Sequence, residues 1–147
     1  MSTPLMNTAP VNHSQTIANV FSALLKVHGS IDSHGLERKI YHLVLLCASQ
    51  INGCGYCVKM HTKEAREDGE TDARLDSLIV WRHVDDFTPR ERAALAWTEA
   101  LTRLERHTDY GPLRAELREH FSEEEISALT ANITMINLWN RIHISGH

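Results

Sequence analysis

The sequence lacks the features that mark several classes of protein. Its 3 cysteines lie within one short stretch, whereas a secreted disulfide framework has an even number spread along the chain. Its 7 glycines and 4 prolines are too few for a collagen-like or disordered chain of 147 residues. No apolar run approaches the ~18 residues that span a bilayer. The net charge of −4 also argues against a nucleic-acid-binding surface.

Residues 1–15 carry no recognisable targeting signal. They contain no Lys or Arg and no long apolar run, so they match neither a secretory signal nor an Arg-rich transit peptide. Their Ser, Thr, Pro and Asn content predicts a flexible N-terminal tail, followed by one helical domain over residues 16–147. We expect a cytoplasmic protein, and close cysteine pairs in that compartment are typically catalytic or metal-binding.

Apolar residues recur at helical spacing along nearly all of the remaining chain. Ile17, Val20 and Leu24 form one such stripe, and Gly29 is expected to end that helix. No segment shows the sustained alternation of a strand, so we predict an all-α, single-domain fold of about seven helices. With their capping residues, the predicted helices span residues 16–27, 33–50, 54–68, 71–81, 88–104, 111–120 and 122–142.

The second predicted helix is apolar on every side over residues 43–48. A helix of this kind is buried on more than one side, either by its own fold or by a partner subunit. We expect this helix to meet another subunit.

The motif Cys54-x-x-Cys57-x-x-x-His61 carries the chemistry. On a helix its three side chains share one face. The N-terminus of a helix stabilises a thiolate, and a nearby imidazole can accept the thiol proton, so both lower the pKa of a cysteine. Two thiols one turn apart also meet the ~4.4–6.8 Å Cα separation of a disulfide. The residues therefore favour a dithiol redox site.

Other interpretations of the same motif remain open. The pair and His61 could be three of four zinc ligands, although no second ligand pair completes a structural site. Thioredoxin-like chemistry would need strands around the motif. Two buried cysteines without a role are the remaining alternative. Gly53 and Gly55 argue against it, because glycine weakens a helix and is expected beside Cys54 only where tight geometry or access is needed.

Cys47 and His42 lie on the preceding helix. Cys47 belongs to its apolar stripe and is predicted to be a buried packing residue. His42 projects from the opposite side and would approach His61 if the next helix folds back. The alternative is an ordinary surface or capped histidine. The other eight histidines show no ligand spacing and are assigned no role.

This motif and its surroundings resemble the alkylhydroperoxidase AhpD-like proteins of the carboxymuconolactone decarboxylase superfamily. The resemblance covers residues 33–142 and is most specific at the Cys-x-x-Cys-x-x-x-His core. The segments that carry it are Ser49–Arg66, Gly69-Glu70, Arg74-Leu75, Trp81-Arg82, Phe87–Leu95, His120–Ser122 and Asn137–Arg141.

The resemblance implies an all-α subunit that assembles as a homotrimer or homohexamer. It also implies thiol-dependent peroxide reduction, in which Cys57 attacks the peroxide, Cys54 resolves the product and His61 is the family histidine. No cofactor is bound in such proteins. An external dithiol, lipoyl-linked in one branch of the family, reduces the pair.

The chain departs from the family pattern at three positions. His42 stands where members usually carry a proton-relaying Glu, Cys47 where many carry Arg, and Tyr56 where peroxidases often carry His. Histidine supplies no fixed negative charge but can relay a proton, because it titrates near pH ~6.5. We therefore predict a relay of His42 and His61.

These observations predict a peroxiredoxin-type oxidoreductase with alkyl hydroperoxide reductase activity in antioxidant defence. Its catalytic residues are predicted to be Cys57, Cys54, His61 and His42, with no metal site. The expected partners are a small hydroperoxide and a reducing protein or dithiol that attacks Cys54, the thiol expected to be more accessible. No nucleic-acid or membrane partner is expected. The alternative is a superfamily member with weak or no peroxidase activity, acting as a decarboxylase-like enzyme or as a zinc- or redox-sensing protein.

Overall fold

The computed structural model of the protein describes residues 5–147, and its regular secondary structure in that range is entirely helical. It contains eight α-helices and no strand among these residues, which confirms the predicted all-α fold. A 3-10 helix, Leu78–His83, follows the fifth α-helix. The α-helices are α1 His13–Thr16, α2 Ala18–Asp32, α3 Arg38–Asn52, α4 Gly55–Glu67, α5 Asp72–Ser77, α6 Pro89–Arg103, α7 Gly111–Arg118 and α8 Glu123–Gly146.

Helix α3 lies at the centre and packs against α4, α6 and α8. Each side chain from Leu43 to Ser49 is at most 4% exposed within the single chain. The chain's own helices therefore bury the segment that is apolar on every side. Burial of this segment therefore needs no partner subunit. Contact of the helix with another subunit and assembly into a trimer or hexamer stay predictions.

Gly29 does not end its helix, contrary to the sequence prediction. Helix α2 continues to Asp32, and the chain turns at Gly35, whose φ is 74°. An internal glycine costs about 1 kcal/mol relative to alanine. Continuing the helix buries Ile31, which is 8% exposed, and burial of such a side chain contributes about 1.5–3 kcal/mol. The turn at Gly35 also delays the start of α3 to Arg38.

The predicted helix over residues 71–81 is divided in two. Helix α5 ends at Ser77, and the 3-10 helix then places Leu78 and Trp81 in the core at 1% and 3% exposure. A 3-10 helix has three residues per turn, so residues i and i+3 share one side. This geometry leaves Ile79 and Val80 exposed between the two buried anchors.

The predicted tail, residues 1–15, lies only partly within the described residues. Its first four residues fall outside them. Within the described part, the backbone N–H of Val11 donates to the carbonyl of Gly146 at 3.0 Å, and α1 begins at His13. The domain boundary at residue 16 stays a prediction.

A tight turn joins α3 to α4 and places the cysteine pair. Gly53 ends α3 with a φ of 69°, in the left-handed region that favours glycine. Cys54 follows as the N-cap of α4, so the two helices run antiparallel and pack together. The turn therefore sets the cysteine pair at a helix N-terminus beside the buried helix α3.

Between residues 5 and 147, no helix is long and apolar enough to cross a membrane.

Candidate active site

Cys54 and Cys57 form a disulfide across the first turn of α4. Their Cα atoms are 5.3 Å apart, and both side chains are 1% exposed. As the N-cap, Cys54 Sγ also accepts the backbone N–H of Cys57 at 3.4 Å. The expectation that Cys54 is the more accessible thiol is wrong, because the turn and the neighbouring helices bury the two sulfurs equally.

His61 lies one turn beyond Cys57 and is 8% exposed. Its Nδ1 is 3.3 Å from Glu64 Oε2 on the same helix. Burial lowers the pKa of His61 below its ordinary 6.5, whereas the charge and hydrogen bond of Glu64 partly offset this change. Nearby His42 and His28 lower the pKa further when charged. His61 is therefore neutral at pH 7 and able to accept a proton.

The Glu64→Gln variant should titrate His61 at a lower pH than the native protein. Glu64 is the group that raises the pKa of His61. Its neutral replacement removes most of this increase, so that burial lowers the pKa further. The midpoint can be read from the His61 ring signals in an NMR titration. Glu67→Gln is the matched control, because Glu67 is an exposed carboxylate on the same helix that faces Lys63. An upward shift in Glu64→Gln, or equal shifts in both variants, would contradict this account.

His42 is buried, at 2% exposure, and is therefore not a surface histidine. Its Nε2 lies 2.5 Å from Oδ2 of Asp68, the C-cap of α4, which Arg38 also contacts at 3.2 Å. His42 and His61 make no hydrogen bond to each other, but they are close enough for a charge on His42 to lower the pKa of His61. The structure thus brings them near one another, and the relay between them stays a prediction.

Cys47 packs in the apolar core. It is 4% exposed within an apolar cluster that includes Leu43, Leu46 and Trp81. Burial raises the pKa of its thiol to about 12. A protonated thiol is a poor nucleophile, so Cys47 differs chemically from a cysteine at a helix N-terminus.

A cavity of about 270 Å³ opens beside Cys57. Cys57, His61 and Glu64 line it from α4, whereas Cys54 does not contribute to its wall. The opposite walls are mostly apolar or aromatic and come from α2, α3 and α8. Their residues are Leu25, His28, Tyr41, Leu45, Asn132, Ile136, Trp139 and His143, and α4 adds Tyr56 and Met60.

Two aromatic contacts shape the rim of this cavity. The indole N–H of Trp139 donates to His28 Nε2 at 2.8 Å, which ties α8 to α2. The rings of Tyr56 and His143 pack at a tilt of 34° with their centroids 4.5 Å apart, which joins the cysteine turn to the end of α8. Trp139 therefore lies at the cavity together with His28 and His143, two histidines that the sequence left without a role.

The sequence reasoning also missed two carboxylates, Glu64 and Asp68. They lie three and seven residues after His61, so they share its helical face, and that spacing could have identified them. The contributions of α2 and α8 have no such signal, because the tertiary packing of distant helices brings them to the cavity.

Within the described part of the chain, no group of three His, Cys, Asp or Glu side chains could hold a metal ion.

Comparisons with known proteins agree with this architecture. A profile of the carboxymuconolactone decarboxylase family matches residues 18–100, a range that includes both cysteines of the pair, His42 and His61. The uncharacterised protein YdfG of Bacillus subtilis is 38% identical over 110 residues, which cover 75% of each chain. The profile stops before α8, which supplies one wall of the cavity.

Among the solved structures that are similar to the chain, two are AhpD-like by their descriptions. A protein of unknown function from Agrobacterium tumefaciens, with the suggested name antioxidant defence protein AhpD, is 37% identical, with a TM-score of 0.88 and 95% of each chain covered. A peroxidase-related protein of Ralstonia eutropha, described as an alkylhydroperoxidase AhpD core, is 25% identical. Its TM-score is 0.72, and the match covers 86% of this chain and 70% of that one.

Proposed function

This chain belongs to the carboxymuconolactone decarboxylase family, has an AhpD-like fold, and, we propose, reduces organic hydroperoxides through the Cys54–Cys57 pair. One observation carries the proposal: Cys57, bonded to Cys54, lines a cavity together with the buried His61. A nucleophile, a base within one helical turn and a resolving thiol are the parts that a dithiol peroxidase needs.

The first step oxidises Cys57. Its proton passes to His61, and the thiolate attacks the distal peroxide oxygen, so that an S–O bond forms as the O–O bond breaks. The sulfur is oxidised to a sulfenic acid, and the alkoxide takes the proton from His61 to leave as an alcohol. A well-placed acid–base group of this kind is worth about 10²–10⁴ in rate.

The second step closes the disulfide and the third reopens it. The Cys54 sulfur displaces hydroxide from Cys57, and the thiol proton leaves with it as water. An external dithiol then exchanges with the pair through a mixed disulfide, restores both thiols and is itself oxidised to a disulfide. Because both sulfurs are buried, we expect the reductant to be a small dithiol or to carry its dithiol on a slender group. The alternative is a reductant that displaces Tyr56 from the rim of the cavity. Assembly as a homotrimer or homohexamer and a cytoplasmic location are part of the same proposal.

Mass spectrometry of the thiols after one equivalent of peroxide tests the proposal. The protein is reduced, freed of reductant, mixed with one equivalent of tert-butyl hydroperoxide, and alkylated after unfolding. We expect a Cys54–Cys57 disulfide and an alkylated Cys47. A Cys47→Ser variant should give the same pair, whereas Cys54→Ser/Cys57→Ser should consume no peroxide.

Two outcomes would contradict the proposal. An unoxidised pair would remove the peroxidase function and favour a decarboxylase-like or structural role. Oxidation of the pair without repeated turnover by any dithiol would favour a redox-sensing protein.

A further inference from the structure

His42 and Asp68 form a pair that joins the start of α3 to the end of α4, in which the imidazole is buried and the carboxylate is exposed. The imidazole is 2% exposed, and its Nε2 lies 2.5 Å from Asp68 Oδ2. The hydrogen bond from His42, followed by that from Arg38, lowers the pKa of Asp68. Asp68 is therefore a carboxylate at neutral pH, and it accepts the hydrogen bond while the Nε2–H of His42 donates it.

The second ring nitrogen of His42 lacks a partner. Its Nδ1 is shielded from solvent and makes no hydrogen bond with any described residue. In a neutral imidazole, one nitrogen carries the proton and the other an electron pair. Because Asp68 holds the proton at Nε2, the unpartnered Nδ1 carries the electron pair. A buried acceptor without a hydrogen bond lowers the free energy of unfolding of the protein. An unpartnered Nδ1 at this position therefore points to a role other than stability.

The surroundings of His42 connect it to the active site. His61 and Glu64 lie on α4 between the cysteine pair and Asp68, and a charge on His42 acts on His61. Four other titratable groups lie close enough to influence the pKa values of His61, Asp68 or Tyr41. They are Arg38 and Tyr41 on α3 and His28 and Asp32 on α2. The ring of Tyr41 packs edge-on against His42 with centroids 5.3 Å apart.

We propose that Asp68 is a positioning residue, which fixes His42 as the Nε2–H tautomer and thereby keeps its Nδ1 as the second proton acceptor of the active site. The inference rests on the proposed peroxidase function. In that reaction His42 accepts at Nδ1, through one bridging water because the two rings make no direct hydrogen bond, the proton that His61 takes from Cys57, and it returns this proton by the same route when the alkoxide leaves. Asp68 stays ionised throughout, as a carboxylate that orients a catalytic imidazole does.

The Asp68→Asn variant tests this role, because it removes the charge while keeping a side chain of the same shape. An amide can either accept from Nε2–H or donate to Nε2, so the tautomer of His42 is no longer fixed. We expect the rate of Cys57 oxidation by tert-butyl hydroperoxide to fall about 10- to 100-fold. Its pH–rate profile should then match that of His42→Gln, and the double variant should be no slower than either single one.

Arg38→Met is the matched control. It removes the exposed partner of Asp68 but keeps the bond to His42. It should leave both the oxidation rate and the pH profile within about twofold of the native protein. Thermal unfolding of all variants separates this role from a merely structural one, since lost stability alone does not change the pH profile of the folded fraction.

The ring ¹⁵N shifts of His42 test the tautomer in the native protein, without any peroxide. We expect a protonated Nε2 and an unprotonated Nδ1 at neutral pH, and a mixed or reversed pattern in Asp68→Asn. A proton on Nδ1 in the native protein, or an unchanged rate profile in Asp68→Asn, would overturn the inference. Absence of any peroxide reaction in the native protein would instead overturn the proposed function and leave the tautomer result standing.

Discussion

Replacing Cys57 with serine should reduce peroxide turnover to the rate of buffer alone. A serine hydroxyl has the shape of the thiol but cannot be oxidised to a sulfenic acid. It therefore cannot supply the two electrons that reduce the O–O bond of the peroxide. Cys57 is the cysteine of the pair that lines this cavity, beside His61. The loss should therefore be complete with any organic hydroperoxide, and a peroxide-consumption assay with an excess of dithiol measures it.

Cys54→Ser should behave differently, and that difference tests the assignment of roles. Without a resolving thiol, each chain should consume one equivalent of peroxide and stop, with a sulfenic acid on Cys57 that a sulfenic-acid-specific reagent can trap. Cys47→Ser should keep full turnover, because that thiol is buried among apolar side chains away from the pair. Consumption of one equivalent of peroxide by Cys57→Ser, with a sulfenic acid trapped on its Cys54, would reverse the two roles.

The sequence predicts the parts of this site that local interactions determine. Thr88 and Ser122 are each followed by Glu three residues later, which is the sequence pattern of a capping box. In the structure each of the two side chains accepts the backbone N–H three residues later, and the Glu side chain accepts the backbone N–H of the cap. The spacing of Cys54 and Cys57 likewise predicts two sulfurs within bonding reach at a helix start. These features depend on residues within one turn of each other, so a single sequence contains them in full.

The parts that sequence reasoning missed depend on tertiary packing. Gly29 is weakly unfavourable in a helix, but burial of Ile31 against the rest of the chain outweighs it. His42 has no sequence neighbour that identifies its partner, because Asp68 reaches it only when α4 folds back along α3. For the same reason, no local pattern predicts that Trp139 and His28 close the cavity.

The Arg74→Met variant should lower the free energy of unfolding by about 3–5 kcal/mol at pH 7, the usual cost of breaking a buried ion pair. The Arg74 guanidinium joins two carboxylates, donating to Glu70 at 2.7 Å and to both oxygens of Glu91. The side chains of Glu70 and Glu91 are only 3% and 6% exposed. Methionine fills similar space but leaves both carboxylates without the cation that compensates their burial. Urea unfolding followed by circular dichroism measures the change.

The pH dependence identifies the cause of this loss. Burial opposes ionisation of Glu91, but the hydrogen bonds of Arg74 and of the Thr88 backbone outweigh it and lower the pKa of Glu91. In the native protein this stabilisation is present above the unfolded pKa of about 4.3 and is lost as the pH falls through the folded value. Without Arg74 the burial remains, so the carboxyl protonates more readily, and the difference between variant and native protein should shrink between pH 7 and pH ~4.

Arg118→Met is the matched control for this loss, because Arg118 pairs with Glu123 at 2.6 Å on the surface, where both side chains are more than half exposed. Solvent screens such a pair, so its removal should leave the free energy of unfolding nearly unchanged at every pH. Equal losses of unfolding free energy in the two variants would mean that the buried Arg74 pair stabilises the protein no more than the exposed Arg118 pair does. A loss in Arg74→Met that is independent of pH would instead point to packing around Phe87, whose ring lies 4.9 Å from the guanidinium carbon.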